Sequence, residues 1–304
     1  MVELLGKPPK GPEAIECKRQ IPESIPVKAL LSEMHPDGYW LQKHQRTGRM
    51  LGDGVEYGPF GTTHYCLSYL AELGMDKTNP QVAKAAERYL DLQKEDGDFY
   101  RHFSCLLGLN IRTFVMLGYE NDSRVKKSID LLLDTERPDG GYLCDMHEGK
   151  YKTKLVKSCV RGSVKALLAF SHLPRYWKHD RVGKLVDYFI LRDGIFKKKR
   201  LNEFVNKDME RASYPITWRA NVFEVLLALS RMGYGRHNRL ERAFNVLNEK
   251  IDEKGRYYLD WTPAQSPWKV GERDAPNKWV SFYAYLAHKF KESSPYSTPS
   301  TAAY

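Results

Sequence analysis

The chain carries the stretch DGGYLC at residues 139–144, in which a glycine turn leads into an aromatic residue. Turns of this kind recur at intervals of 43 to 61 residues, and an aromatic side chain follows each turn glycine within three residues. Two helical patterns lie between consecutive turns. Self-similarity of this kind is typical of stacked helical hairpins. The turn glycines are Gly38, Gly97, Gly140, Gly194 and Gly255.

Two kinds of helical segment alternate between the turns. The first kind, such as residues 123–134, has apolar residues at i, i+3, i+4 and i+7, which predicts one buried and one solvated face. The second kind, such as residues 164–170, is apolar nearly all round, which predicts a fully buried helix. An inner ring of the second kind inside an outer ring of the first kind is an α/α toroid. We therefore predict an all-α fold, an α/α toroid of about five to six helical hairpins. The predicted helices span 27–34, 62–74, 81–93, 102–117, 123–134, 159–170, 180–191, 216–232, 238–252 and 278–290.

The sequence predicts one large domain with an extension at each end. Residues 1–25 contain several prolines and are expected to form an irregular N-terminal arm. Residues 26–290 form the toroid domain, and residues 291–304, rich in Ser, Thr and Pro, form a flexible C-terminal tail. Five cysteines without the spacing of a disulfide framework, and no apolar segment long enough to span a membrane, favour a cytoplasmic location.

The net charge of +10 narrows the class of partner. A basic protein is suited to nucleic acid, an acidic membrane surface or an anionic substrate, and the alternative is simply a solvated basic surface. No nucleic-acid-binding motif is present in the sequence, so no nucleic-acid partner is expected. The run KKKR at residues 197–200 is interpreted as solvated surface or as a contact to an acidic membrane face. The sequence leaves the oligomeric state open.

The repeat resembles a known superfamily of α/α barrels. The glycine–aromatic turns, the segment GTTHY at 61–65 and the segment RPDGGY at 137–142 resemble squalene–hopene cyclases and protein prenyltransferase β subunits, over roughly residues 27–290. The nearest resemblance is to uncharacterised, single-domain squalene-cyclase-like proteins of prokaryotes. The chain lacks the Asp-x-Asp-Asp motif with which cyclases of this kind protonate an alkene, so cyclisation started by protonation is disfavoured.

A local match to the prenyltransferases lies at residues 154–159, which read KLVKSC where that family has KLVDGC. The resemblance implies that Lys154 holds an isoprenoid diphosphate and that Cys159 is a zinc ligand. The arginine with which the family also holds the diphosphate is not matched here, although Lys150 and Lys152 lie close by. Lys157 stands where the family has its aspartate ligand, and the family's later histidine has no clear counterpart. A zinc site of the family's type cannot be assembled from these residues alone.

Three thiols are predicted to lie near one another. Cys105 and Cys159 stand at the starts of consecutive inner helices, and Cys144 lies on the loop that leads into the second helix. With His102 or His147 they would form a Cys₃His set, which is a familiar tetrahedral zinc site. The predicted cofactor is therefore zinc. The alternative is that the cysteines are small buried packing residues.

Basic and aromatic residues near the starts of inner helices are candidates for ligand binding. Lys152, Lys154 and Arg161 lie around a helix N-terminus, which suits a phosphate group, although a solvated loop would have the same composition. Tyr65, Phe103 and Trp218 are candidates for the lining of a cavity that takes an apolar chain, or else they fill the core.

Two functional classes remain open on the sequence. The first is a terpenoid-cyclase- or prenyltransferase-like protein that binds an isoprenoid or similar apolar small molecule, or its diphosphate, in the lumen of the toroid with the help of zinc. The second is a non-catalytic toroid that serves as a scaffold for protein–protein interaction. The sequence identifies no catalytic residue.

Overall fold

The computed structural model describes residues 2–56, 60–100, 102, 104–147, 157–264 and 268–295. Within those residues the chain is mainly helical, with three antiparallel two-stranded β-ladders: β1 with β2, β3 with β4 and β5 with β6. The strands are β1 Gln42–Lys43, β2 Met50–Leu51, β3 Phe196–Lys197, β4 Arg200–Phe204, β5 Tyr258–Leu259 and β6 Ala275–Pro276. The helices are α1 Val2–Leu5, α2 Pro12–Gln20, α3 Ile25–Ser32, α4 Thr63–Glu72, α5 Pro80–Leu90, α6 Ser104–Met116, α7 Ser123–Asp134, α8 Val160–Ser171, α9 Asp180–Ile190, α10 Val222–Arg231, α11 Glu241–Asn248 and α12 Lys278–Ser293.

The helices form two concentric rings. Helices α4, α6, α8, α10 and α12 contact one another in that order, and α5, α7, α9 and α11 each pack outside the inner helix that precedes them. The ring closes where the Tyr283 hydroxyl on α12 donates a hydrogen bond to the Glu72 carboxylate on α4. Burial follows the same division: α10 is buried from Val222 to Ser230, whereas α11 buries only one face. The prediction of an α/α toroid is confirmed.

The recurring turn glycines have a structural reason. Gly97 and Gly140 have φ angles of +91° and +80°, a backbone region that favours glycine. A Cβ atom on Gly97 would lie 2.8 Å from the carbonyl oxygen of Lys127, and one on Gly140 would lie 2.3 Å from that of Lys184. Each of these two turns therefore packs directly on the backbone of the next outer helix, which links the repeat in sequence to the contact between hairpins.

The structure corrects three sequence predictions. The segment expected to be an irregular arm contains the helix Pro12–Gln20, because Pro12 occupies the first turn, where a missing N–H costs no hydrogen bond. The inner helix predicted from residue 216 begins only at Val222, where the side chain of Asn221 accepts a hydrogen bond from the Glu224 amide and caps the helix. The helix predicted for 238–252 is a short 3-10 turn followed by Glu241–Asn248.

The ends of the chain are described only in part. Helix α12 continues to Ser293, three residues into the predicted C-terminal tail, and residues 296–304 of that tail lie outside the described residues. None of the described helices is both long enough and apolar enough to cross a membrane.

Candidate functional site

A cleft of about 280 Å³ opens at the N-terminal end of α8. Its wall combines a thiol, an imidazole and cationic side chains with apolar groups. The cleft therefore brings together reactive, charged and apolar surface in one place. The lining residues are Leu143, His147, Lys157, Ser158, Cys159, Val160, Arg161, Tyr188, Arg192, Val205 and Asn206.

The local fold places the segment 142–147 between the starts of two inner helices. The Cys159 amide donates a hydrogen bond of 2.7 Å to the Tyr142 carbonyl, and the Asp145 amide donates one of 2.9 Å to the His102 carbonyl. The Asp145 carboxylate accepts a further bond of 3.0 Å from the His102 amide. These backbone contacts hold Cys144 and His147 beside the N-termini of α6 and α8.

The three thiols that the sequence predicted to be neighbours do lie together. Cys105 and Cys144 are 2% and 1% exposed and pack with Leu106, and the partly buried Cys159 packs against them. The thiol of Cys105 is hydrogen-bonded to the sulfur of Cys159. The Cys159 sulfur also interacts with the backbone N–H of Gly162 in the first turn of α8, and with the ring of His147.

The surroundings of the two hydrogen-bonded thiols, Cys105 and Cys159, shift their pKa values in opposite directions. The hydrogen bond from Cys105, the N–H of Gly162 and the nearby His147 stabilise a negative sulfur at Cys159, and they lower the pKa of that thiol against the opposing effect of burial. The same hydrogen bond and full burial raise the pKa of Cys105. Of the two sulfurs, Cys159 is therefore the one whose surroundings favour a negative charge.

The predicted zinc set does not appear as a ligand group. Over the described residues, no three or more His, Cys, Asp and Glu side chains are placed so that they could hold a metal ion. The histidine whose ring interacts with Cys159 is His147, while the described bonds of His102 are those of its backbone with Asp145. The zinc site stays a prediction.

The cations of the cleft are partly engaged with protein groups. Arg161 donates to the Asp208 carboxylate at 2.5 Å and lies 4.5 Å from the centre of the Trp218 ring. Arg192 donates to the Tyr188 carbonyl at 2.6 Å, and Lys157 lies exposed at the rim. The cleft is therefore a cationic surface at a helix N-terminus.

The other predicted binding residues divide between the site and the core. Trp218 lies beside Arg161, as described above. Tyr65 is fully buried, with its ring centre 5.2 Å from that of Phe60 and 3.9 Å from that of His64. Lys152, Lys154 and Phe103 lie outside the described residues.

The centre of the ring is polar, which the sequence reasoning missed. Arg112 on α6 and Glu72 on α4 form a buried ion pair of 2.6 Å, and Lys165 on α8 pairs with Glu224 on α10. Burial raises the pKa of Glu224 to about 7 and lowers that of Lys165. A charged residue inside an otherwise apolar inner helix was the signal in the sequence.

The basic run at residues 197–200 is also partly paired. Lys197 forms an ion pair with Glu203, and Arg200 lies 3.0 Å from the same carboxylate. These residues belong to the β3–β4 hairpin, on the connection that follows α9. The interpretation of this run as solvated surface or as a membrane contact stays a prediction.

Comparison with known proteins bears on the fold. No family model matches the chain, and no curated protein matches it either. A solved polysaccharide lyase is similar at 14% identity and a TM-score of 0.53, over 96% of this chain and 86% of that chain. A glycosyl hydrolase of family 88 from Bacteroides vulgatus is similar at 15% identity and a TM-score of 0.52, over 96% and 87%. A type II terpene cyclase from Scytonema matches at 14% identity and a TM-score of only 0.36, over 92% and 99%, which is too weak to support an argument. The first two similarities agree with the α/α toroid described above and show the fold alone.

Proposed function

We propose that the cleft at the start of α8 binds the anionic head of a small ligand whose remainder is apolar, with an isoprenoid diphosphate as the model. The observation that carries the proposal is the placement of Lys157, Arg161 and Arg192 around one cleft at a helix N-terminus. Backbone N–H groups and the helix dipole favour negative charge at that position, and arginine suits phosphate oxygens.

One wall of the cleft offers apolar contacts for the rest of such a ligand. Leu143, Val160 and Val205 line it together with the ring of Tyr188. Small-molecule sites typically combine apolar lining with a few polar groups that fix orientation. An anionic head at the cationic rim and a short apolar segment along this wall would use both kinds of surface.

The proposal places the ligand at the mouth of the toroid, whereas the sequence suggested the lumen. The buried ion pairs Glu72–Arg112 and Lys165–Glu224 occupy the centre of the ring. An apolar chain that displaced the contacts of these groups would leave charges without partners, at a cost of several kcal/mol per ion, roughly. The resemblance of residues 154–159 to the diphosphate-holding loop of prenyltransferases supports the same location.

The test is a calorimetric titration with three probes: farnesyl diphosphate, farnesol and inorganic diphosphate. We expect farnesyl diphosphate to bind more tightly than either of the others, because it alone offers both the charge and the apolar chain. Lys157→Gln should weaken its binding about fivefold, equivalent to about 1 kcal/mol from one exposed charge. Lys126→Gln, which removes an exposed charge from the outer helix α7, is the matched control and should leave affinity unchanged.

Two results would count against the proposal. Equal effects of Lys157→Gln and Lys126→Gln would mean that the attraction is due to the overall charge of the protein rather than to the cleft. No binding of any probe at millimolar concentration would contradict the proposal outright and would favour the non-catalytic scaffold.

A further inference from the structure

A second cleft, of about 300 Å³, lies at the opposite end of the ring from the start of α8. The inner helices run in one direction, because an outer helix returns the chain between each pair. Arg231 and Ser293, the last residues of α10 and α12, line this distal cleft. We propose that the distal cleft binds a small aromatic carboxylate, whose carboxylate group takes the place of the Glu3 side chain on Arg231. This binding is separate from the diphosphate site proposed above.

Arg231 is a largely buried cation whose counter-ion is exposed. Its side chain is 13% exposed, and its Nη2 atom lies 3.1 Å from the carboxylate of Glu3, which is 51% exposed. Glu3 belongs to α1, a helix of only four residues. The Nη1 atom of Arg231 lies 2.9 Å from Nδ1 of His172. Burial and the neighbouring Arg231 hold the pKa of His172 well below its usual value, so this ring is neutral. Because a buried charge is stabilised best by a close and well-bonded partner, Arg231 is suited to a better anion than Glu3.

The guanidinium of Arg231 has an edge that the protein uses only in part. The Nε and Nη2 atoms of an arginine can donate two parallel hydrogen bonds to one carboxylate. Among the described contacts, Glu3 accepts from Nη2, whereas the buried Nε has no hydrogen-bond partner. Ser230 also lines the cleft and is 2% exposed, and its hydroxyl makes no hydrogen bond within the described part of the chain. A ligand carboxylate that accepts from both nitrogens therefore gains a bond that Glu3 does not make.

Aromatic side chains form the wall beside this guanidinium. Trp177, Tyr234 and Phe290 line the distal cleft. The indole N–H of Trp177 donates a hydrogen bond of 2.8 Å to the Phe170 carbonyl, which fixes the orientation of the indole ring. The centre of the Phe290 ring lies 5.0 Å from the guanidinium carbon of Arg231, so charged and aromatic surface adjoin. Aromatic rings pack well against one another in offset or edge-to-face arrangements. A ligand that joins a carboxylate to an aromatic ring uses both surfaces.

The charge at this end of the ring favours a singly charged ligand. Lys178, exposed at the rim, adds to the positive charge of Arg231. The ends of α10 and α12 contribute helix C-termini, whose carbonyl groups oppose the accumulation of negative charge. A carboxylate monoanion is therefore better suited to this cleft than a phosphate dianion. The volume of about 300 Å³ is sufficient for a fused two-ring compound.

The test is a calorimetric titration of the full-length chain at pH 7 with 1-naphthaleneacetate and with its uncharged analogue, 1-naphthaleneacetamide. We expect the carboxylate to bind about tenfold more tightly than the amide, because it alone forms the charged pair with Arg231. Glu3→Gln should tighten the binding of the carboxylate about threefold, since it removes the charge that competes for Arg231. Glu13→Gln is the matched control: it removes another exposed glutamate of the N-terminal segment, one that pairs with Lys7 at 2.7 Å, and should leave the affinity unchanged.

Two further variants separate geometry from charge and one cleft from the other. Arg231→Lys keeps the charge but loses the two-pronged edge, and it should weaken the binding of 1-naphthaleneacetate about tenfold. Lys157→Gln, at the cleft beside α8, should leave that binding unchanged. Farnesyl diphosphate should likewise not compete with 1-naphthaleneacetate.

Four results would overturn the inference. Equal affinity for the carboxylate and the amide would show that charge is not recognised. An affinity of Glu3→Gln equal to that of the parent would show that Glu3 does not occupy the carboxylate position; this variant changes only an exposed side chain, so the test does not depend on a buried substitution. An equal loss in Lys157→Gln and Arg231→Lys would place the ligand outside the distal cleft. No binding of 1-naphthaleneacetate at millimolar concentration would also contradict it. None of these results bears on the binding of farnesyl diphosphate, so the two proposals fail separately.

Discussion

Replacing Gly108 by alanine should destabilise the toroid although alanine is the better helix former. The new Cβ atom would lie 2.5 Å from the Lys165 carbonyl carbon and 2.7 Å from the Ala166 amide nitrogen. Both are backbone atoms, so no side chain can rotate away and α6 and α8 must separate. Overpacking costs about 3 kcal/mol at the upper end of its usual range. Helix propensity returns about 1 kcal/mol. The expected net loss is about 2 kcal/mol, which lowers the Tm of a chain of 304 residues by roughly 3 °C.

The matched control for this experiment is Gly183→Ala on the outer helix α9. A Cβ atom there meets nothing within 4 Å, so only the gain in helix propensity remains, up to about 1 kcal/mol. Both variants are measured by urea unfolding followed by circular dichroism. If Gly108→Ala is as stable as the parent while Gly183→Ala shows its gain, α6 and α8 do not approach each other as closely as described.

Two further predictions concern buried charge. Arg112→Met should lower the free energy of unfolding by about 3–5 kcal/mol because it leaves the Glu72 carboxylate buried without its cation, and adding Glu72→Gln should recover part of that loss in urea denaturation. Burial lowers the pKa of His64 to about 3. The unfolded chain takes up a proton near pH 6.5 while the folded chain does not, so stability present above that pH is lost as pH falls towards 3, by at most about 1.4 kcal/mol per unit. His64→Gln should flatten this slope in urea titrations between pH 7 and 4.5, and an unchanged slope would show that His64 is protonated in the folded protein.

The sequence was sufficient for the architecture because its signals are local. An amphipathic pattern such as 123–134 reports burial on one face, and a segment such as 164–170 reports burial all round, without knowledge of the neighbours. Turn glycines such as Gly140 mark the ends of the hairpins. The ends of some helices were predicted less accurately, because they depend on capping. Asn221 caps α10, so this helix begins later than predicted, and Pro12 begins a helix where the prolines suggested an irregular arm.

The candidate site was predicted only in part. The sequence indicated that Cys105, Cys144 and Cys159 would lie near one another, because consecutive hairpins are neighbours in a toroid. It could not show that the Cys105 thiol donates to Cys159, or that the nearby imidazole belongs to His147. Those relations depend on side-chain direction within a few ångströms, which the spacing of residues along the chain does not fix.

The amino-acid pattern was enough to predict an α/α toroid with basic residues and thiols near the start of an inner helix. It did not predict that Glu72, Arg112, Lys165 and Glu224 meet at the centre of the ring, or that Arg192 and Cys159 line the same cleft. The physical reason is that the spacing of apolar residues along a helix indicates only how much of that helix is buried. The pairing of charges 40 or 59 residues apart instead depends on the axial depth at which neighbouring helices pack.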